Sequence, residues 1–258
     1  MTGSAGLPAL PILVAVSHGT ADPAGQGRIA ALAEAVASRT AAEVRLAHVD
    51  VQSPRVGEVL ASLPENRPAV VVPVLLSAGY HVRVDLAEAA AGRSPVASAL
   101  GPDERLVDLL VRRTLEAGFV RGHHRVVLAA AGSTDAGAVA DCRTVASRLA
   151  HRLGTPVSDA YLSAAHPTVT AAVGSVGGES PGRPVIVVSY LLAPGYFQAR
   201  LVAEADLAGA ETTSAPLLGA QGPVPAELAE LVVARFAATV EGCSIPGTTA
   251  RGRTASPC

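Results

Sequence analysis

Three side chains of the kinds that bind transition metals stand at comparable places in the first half of the chain. His18, Asp50 and His81 each close or closely follow an apolar segment with the composition of a strand. Two imidazole nitrogens and one carboxylate suit Fe²⁺, Co²⁺, Ni²⁺ or Zn²⁺ and leave coordination positions open for a substrate. The residue types therefore predict a metal-handling site, provided that the fold brings the three side chains together.

Each of these residues also has an ordinary structural interpretation. A single histidine after a strand is most often a loop residue with a satisfied hydrogen bond, and Asp50 could cap the helix that follows Ser53. His48 lies two residues before Asp50 and should point to the same face of its strand. It could take part in the site, contact one of the ligands, or pack in the core.

The segments around these residues alternate between strands and helices. Fully apolar strands are typical of parallel sheets that are buried on both faces, and right-handed crossovers place helices on both sides of such a sheet. The pattern predicts a doubly wound parallel α/β sheet, in which ligands bind beyond the carboxyl ends of the strands. The predicted strands of the first half are 11–16, 44–51, 69–76 and 96–100, and the predicted helices are 25–39, 55–63, 81–91 and 104–117.

The second half of the chain repeats the first at a nearly constant offset. We therefore predict two α/β domains, residues 10–120 and 124–241, which face a central cleft. Residues 242–258, rich in Gly, Pro, Ser, Thr and Arg, are predicted to be a disordered tail. The similar segments are 12–20 with 127–135, and 70–80 with 185–196.

The second half lacks all three candidate ligands, although its apolar pattern survives. A purely structural role gives no reason for the three to be lost as a set, whereas a single functional unit does. The metal site is therefore assigned to the first half, and the second half is interpreted as a degenerate copy. At the matched positions it has Ser133 for His18, Ser163 for Asp50 and Phe197 for His81.

The composition excludes several other classes of protein. A net charge of -2 gives no electrostatic case for a nucleic-acid or membrane partner, and no apolar run is long enough to span a bilayer. Three cysteines without metal-ligand spacing argue against a disulfide framework and fit a reducing cytoplasm. The pair Gly25 and Gly27 lacks the third glycine of a dinucleotide loop, so no nucleotide cofactor is expected.

The motifs together resemble those of a known family. The segment 17–20 (SHGT) resembles a His-Gly-Ser element, and 73–81 (PVLLSAGYH), followed by Asp85, resembles an apolar strand with a His-x-x-x-Asp element. The segment 49–54 (VDVQSP) resembles one in which an acidic residue stands four before a proline. Over roughly residues 11–240 the chain is similar to the class II tetrapyrrole chelatases, the sirohydrochlorin ferro- and cobaltochelatases in their long two-domain form.

The resemblance implies insertion of Fe²⁺ or Co²⁺ into sirohydrochlorin, for sirohaem or cobalamin synthesis, by a monomer with two pseudo-symmetric halves. It gives the metal and the catalytic roles to His18, His81 and Asp50, with Asp in place of the commoner Glu. That acid is one methylene shorter, which leaves open whether it ligates directly or through water. Side chains that could hold the carboxylates and face of the macrocycle are Arg83, Arg200, Tyr80, Tyr196 and Phe197. The two arginines could instead be solvated helix residues, and Tyr196 and Phe197 could instead belong to a core between the domains.

Two other functions compete with this interpretation. A metal or tetrapyrrole carrier would use the same residues without turnover, so the sequence barely separates it from an enzyme. A nucleotide- or phosphate-binding α/β module would need the glycine-rich loop that the sequence lacks.

Overall fold

The structure, a computed structural model, describes residues 10–77, 86–90, 94–179 and 182–243. In the first half it follows the predicted alternation as far as β3, and residues 86–90 are also helical. The predicted strand 96–100 is wrong, because within it only Val96 forms an isolated parallel bridge, to Val71. Among the described residues, no helix is long and apolar enough to cross a membrane. The elements of the first half are β1 (Ile12–Ser17), α1 (Pro23–Ala37), β2 (Val44–His48), α2 (Val56–Ser62), β3 (Ala69–Pro73) and α3 (Glu104–Glu116).

The second half repeats this order and confirms the predicted fold class of two parallel-sheet α/β units. One sheet has the strand order β2-β1-β3 and the other β5-β4-β6-β7, with every pair parallel. Residue 242 belongs to the last helix rather than to the predicted tail, and residues 244–258 lie outside the described part of the chain. The elements are β4 (Arg125–Ala130), α4 (Ala136–Leu153), β5 (Val157–Tyr161), α5 (Val169–Glu179), β6 (Val185–Tyr190), α6 (Tyr196–Leu207), β7 (Thr212–Thr213) and α7 (Ala226–Gly242).

The first helix of each half begins in the same way, a few residues after the strand that leads into it. Asp22 caps α1 by accepting a hydrogen bond from the backbone N–H of Gly25 at 3.0 Å. Asp135 caps α4 by accepting from the N–H of Gly137 at 2.7 Å. Because the caps fix where the helices start, they also fix the short loops between strand and helix, of which the one in the first half carries His18.

The last helices of the two halves are exchanged: the last helix of each half packs against the other half. Helix α3 packs against α4 and β6 of the second half, whereas α7 packs against α1 and β3 of the first. An arginine secures each exchange: Arg113 donates to the carbonyl of Leu217 at 2.9 Å, and Arg235 donates to the carbonyl of Leu100 at 2.8 Å. One apolar core therefore runs through both halves, and this holds the two sheets in a fixed relation.

Candidate functional site

A cleft of about 720 Å³ lies between the carboxyl ends of the strands in the two sheets. Its wall contains the loops that follow β1, β3, β4 and β6, which places it where ligands bind in open α/β sheets. Most of the wall is apolar, so it suits a large ligand with an apolar face. The wall residues beyond β3 and at the end of β6 include Val74, Leu75, Leu76, Tyr190, Leu191 and Leu192.

His18 lies in the wall of this cleft with its side chain exposed. Its carbonyl accepts a hydrogen bond from the backbone N–H of Asp50 at 3.0 Å, which ties the loop after β1 to the loop after β2. The next residue, Gly19, has a φ of +93°, and a Cβ there would collide with the carbonyl oxygen of Asp50. Glycine is therefore required at this position for the two loops to meet.

Asp50 lies beside the cleft, and its carboxylate is engaged elsewhere. The Oδ1 atom accepts from Nη2 of Arg55 at 3.2 Å, and both side chains are about three-fifths exposed. The two residues line a neighbouring depression together with Val56 and Glu58. The structure thus brings the backbone of Asp50 next to His18, while its side chain points into a different recess.

The third predicted ligand, His81, lies outside the described residues, as do Tyr80 and Arg83. Among the described residues, no group of three His, Cys, Asp or Glu side chains is arranged to hold a metal ion.

His48 contacts the site through a hydrogen bond that the sequence analysis did not identify. Its Nδ1 atom lies 2.8 Å from the hydroxyl oxygen of Ser17, and both residues are buried. Burial lowers the pKa of His48, which favours the neutral imidazole. Since Ser17 lines the cleft and precedes His18, this bond stabilises the end of β1. The alternation of side chains along β2, which pairs with β1, could have predicted this contact from the sequence.

Two of the candidate macrocycle contacts lie at the start of α6, beside the cleft. Tyr196 and Phe197 line the cleft, are 71% and 40% exposed, and meet edge to face with their ring centroids 5.7 Å apart. Arg200, one turn along the helix, is half-exposed and pairs with Glu204 at 2.7 Å. The two rings present apolar surface to a ligand, and the guanidinium already has an acidic partner.

The second half builds the same loops without the candidate ligands. Ser163 donates its backbone N–H to the carbonyl of Ala131 at 3.0 Å, as Asp50 does to His18. This confirms the match of Ser163 with Asp50. The match of Ser133 with His18 is wrong by two residues, because Ala131 occupies the place of His18.

The hydroxyl of Ser133 instead corresponds to that of Thr20. Each accepts a hydrogen bond from the residue that caps the first helix of its half, Thr20 from Asp22 at 3.1 Å and Ser133 from Asp135 at 3.0 Å. An alanine cannot ligate a metal ion. With the corrected alignment, as with the predicted one, the second half therefore has none of the three candidate ligands.

Comparison with known proteins identifies relatives of the whole chain. The sequence model of the CbiX family matches twice, over residues 12–117 and 125–238. None of the curated proteins matches the sequence.

Solved structures share the fold at low sequence identity. SirB from Bacillus subtilis with Fe³⁺ has a TM-score of 0.71 and 20% identity, with 90% of this chain and 97% of that chain covered. The sirohydrochlorin chelatase SirB from Bacillus subtilis subspecies spizizenii in complex with cobalt has a TM-score of 0.67 and 18% identity, with 90% and 96% covered. CbiX, described as the terminal enzyme of sirohaem biosynthesis in denitrifying bacteria, has a TM-score of 0.63 and 22% identity, with 86% and 98% covered.

Proposed function

Because the chain belongs to the CbiX family, we propose that it is a sirohydrochlorin chelatase that inserts a divalent metal ion into this tetrapyrrole. The apolar cleft between the two sheets, with His18 in its wall, carries this proposal. A macrocycle needs apolar surface on both faces and a metal-binding group at one of them, and the cleft offers apolar wall from both halves. The SirB and CbiX structures with this fold support the same activity.

We assign the incoming metal ion, which is a substrate, to His18, His81 and Asp50. Neutral imidazoles can hold a divalent ion and leave other coordination positions for the tetrapyrrole nitrogens. Two pyrrole N–H protons must leave as the metal enters, and imidazole or carboxylate groups beside the metal can accept them. A positioned general base contributes about 10²–10⁴-fold to the rate.

The remaining proposed contacts hold the macrocycle. Tyr196 and Tyr80 are assigned to its face, since aromatic rings pack well on flat conjugated surfaces. Arg83 and Arg200 are assigned to the substrate carboxylates, with which a guanidinium forms charge-assisted pairs. For Arg200 this requires that a substrate carboxylate replace Glu204 as the partner of the guanidinium.

Fe²⁺ is the first choice of metal, for sirohaem synthesis, and Co²⁺ the alternative, for cobalamin synthesis. The affinity of the ligand atoms does not by itself tell Fe²⁺ from Co²⁺ as the metal of this protein, because that affinity follows the same general order of divalent metals at most sites. A cleft that is formed by two unlike halves of one chain fits a monomer, and the proposed reaction fits the cytoplasm.

The test is metal insertion followed by absorbance, with the protein at substoichiometric concentration. We expect many turnovers from the wild type and a loss of about 100-fold or more in rate for His18→Ala and His81→Ala. His151→Ala is the matched control, since His151 is an exposed histidine in the last turn of α4, and it should keep the wild-type rate. If both site variants keep the full rate, the assignment is wrong. A wild type that binds both substrates without turnover is instead a carrier.

A further inference from the structure

The carboxylate of Asp50 is held away from the cleft by a residue of its own loop. Arg55, the residue that precedes α2, places Nη2 3.2 Å from Oδ1 of Asp50. The pair lines a depression of about 480 Å³ beside the cleft rather than the cleft itself. In this arrangement the proposed metal site contains His18 without its carboxylate partner.

The backbone of Asp50 is fixed close to His18. Its N–H donates to the carbonyl of His18, and its own carbonyl accepts from the N–H of Gln52 at 2.6 Å and packs against Gly19. These contacts leave the side chain of Asp50 as the part that can move. A rotation about its side-chain bonds would carry the carboxylate from Arg55 towards the cleft without any change in the loop.

The second half shows the same position with its side chain turned inwards. Ser163 replaces Asp50, and its hydroxyl donates to the carbonyl of Ala131, the counterpart of His18, at 2.9 Å. Ser163 lines the cleft. The loop geometry therefore allows a side chain at this position to reach the end of the first strand.

The residue that corresponds to Arg55 in the second half is Thr168. Arg55 bridges His48 at the end of β2, and Thr168 bridges Tyr161 at the end of β5 in the same parallel manner. The Thr168 hydroxyl accepts from the N–H of Ala171 at 3.3 Å. The arginine thus occurs in the half whose loop has a carboxylate, that of Asp50, for it to hold.

We propose that Arg55 is a positioning residue that keeps the Asp50 carboxylate outside the cleft until a divalent metal ion replaces it as the counter-charge. The inference rests on the proposed function, because it takes Asp50 as part of the metal site. Both partners are largely exposed, so the pair is weak and exchanges readily. Arg55 therefore lowers the affinity of the site for metal ions by a modest factor and leaves the rate of insertion with bound metal unchanged.

Titration with Co²⁺ alone, followed by its visible absorbance, tests the proposal without relying on turnover. For Arg55→Gln we expect the Kd for Co²⁺ to fall by about twofold to fivefold, the range of an exposed ion pair. The KM for metal should fall by the same factor while kcat stays constant. Arg55→Lys keeps the charge and should lie close to the wild type. In an Asp50→Asn background, Arg55→Gln should have no effect on the Kd.

Arg45→Gln is the control, because Arg45 is about as exposed as Arg55 and pairs with Glu43 at 2.7 Å at the start of the edge strand β2, although Glu43 is less exposed than Asp50 and also pairs with Arg67. The proposal is overturned if Arg55→Gln leaves the Kd unchanged or raises it. It is also overturned if the gain persists in the Asp50→Asn background, since Arg55 would then act on the metal through its charge alone. In either case the proposed function stands if the wild type binds Co²⁺ and turns over. A wild type that does neither overturns both.

Discussion

The two halves build the same loop after their first strand and place different side chains on it. Gly19 and Gly132 have φ values of +93° and +91°, and a Cβ on either would collide with a carbonyl oxygen of the next loop. The residue before the glycine is His18 in one half and Ala131 in the other. The second half has the same backbone geometry without the proposed ligand, so the geometry serves the fold. The proposed chemistry of the first half therefore depends on its side chains.

The largest expected effect separates these two roles directly. Gly19→Ala and Gly132→Ala should each lower the free energy of unfolding by about 3 kcal/mol, because both force a positive φ and a backbone collision on an L residue. Urea denaturation measures this loss. The Kd for Co²⁺ should rise only for Gly19→Ala, since only that loop carries His18.

Two results would break the comparison. If Gly132→Ala weakened Co²⁺ binding as much as Gly19→Ala, the second half would contribute to the metal site. If either variant were as stable as the wild type, the loop would be free to move, and the shared geometry would not be a requirement of the fold.

A second difference lies at the start of the exchanged helices. Asp103 caps α3 and accepts from the side chain of Arg105 at 2.8 and 2.9 Å and from Arg235 of α7 at 3.2 Å. Pro225, the corresponding residue before α7, makes no side-chain cap. The two junctions between the halves therefore differ in charge, although the helices pack in equivalent ways.

Removal of this carboxylate should cost about 2 kcal/mol at neutral pH, from a lost cap and lost charged hydrogen bonds. The hydrogen bond from Arg105 holds the pKa of Asp103 below its ordinary value of 3.8. A lowered pKa in the folded state means that the stabilisation is present above about pH 4 and is lost as the pH falls through the folded pKa. Urea unfolding of Asp103→Ala and wild type should thus differ clearly at pH 7 and less as the pH falls well below 4. Pro225→Ala should change little at either pH, and an equal loss there would contradict the assigned role of the cap.

The repeat made much of this fold predictable from the sequence. The apolar runs predicted β1, β3, β4 and β6, whereas the predicted strand 96–100 is not a strand and β7 was not predicted. The absence of all three candidate ligands from the second half predicted a single functional half. The offset failed at one loop, where similarity of small residues placed Ser133 on His18. Only the hydrogen bonds between loops show that Ala131 is its counterpart.

The apolar pattern of the sequence could not predict the exchange of α3 and α7 between the halves. An amphipathic helix needs an apolar partner, and its periodicity is the same whether that partner is the sheet of its own half or of the other. The ion pair of Asp50 with Arg55 was equally hidden, because a separation of five positions along a loop permits the contact without requiring it. Local sequence thus sets the elements, whereas their partners depend on long-range packing.

The smallest expected effect concerns the one thiol in the described wall of the cleft. Cys142 of α4 and Ile29 of α1 occupy the same place in their helices, and both line the cleft. Burial, aided by the charges of Asp141 and Asp159, raises the pKa of the Cys142 thiol to about 11. A thiol of this kind is almost wholly protonated at neutral pH and is a poor metal ligand. Cys142→Ala should therefore cost about 1 kcal/mol of stability at most and leave the visible and near-ultraviolet spectrum of bound Co²⁺ unchanged. If an intense thiolate-to-cobalt band is present in the wild type and vanishes in this variant, the second half does supply a ligand, and its role is not confined to apolar wall.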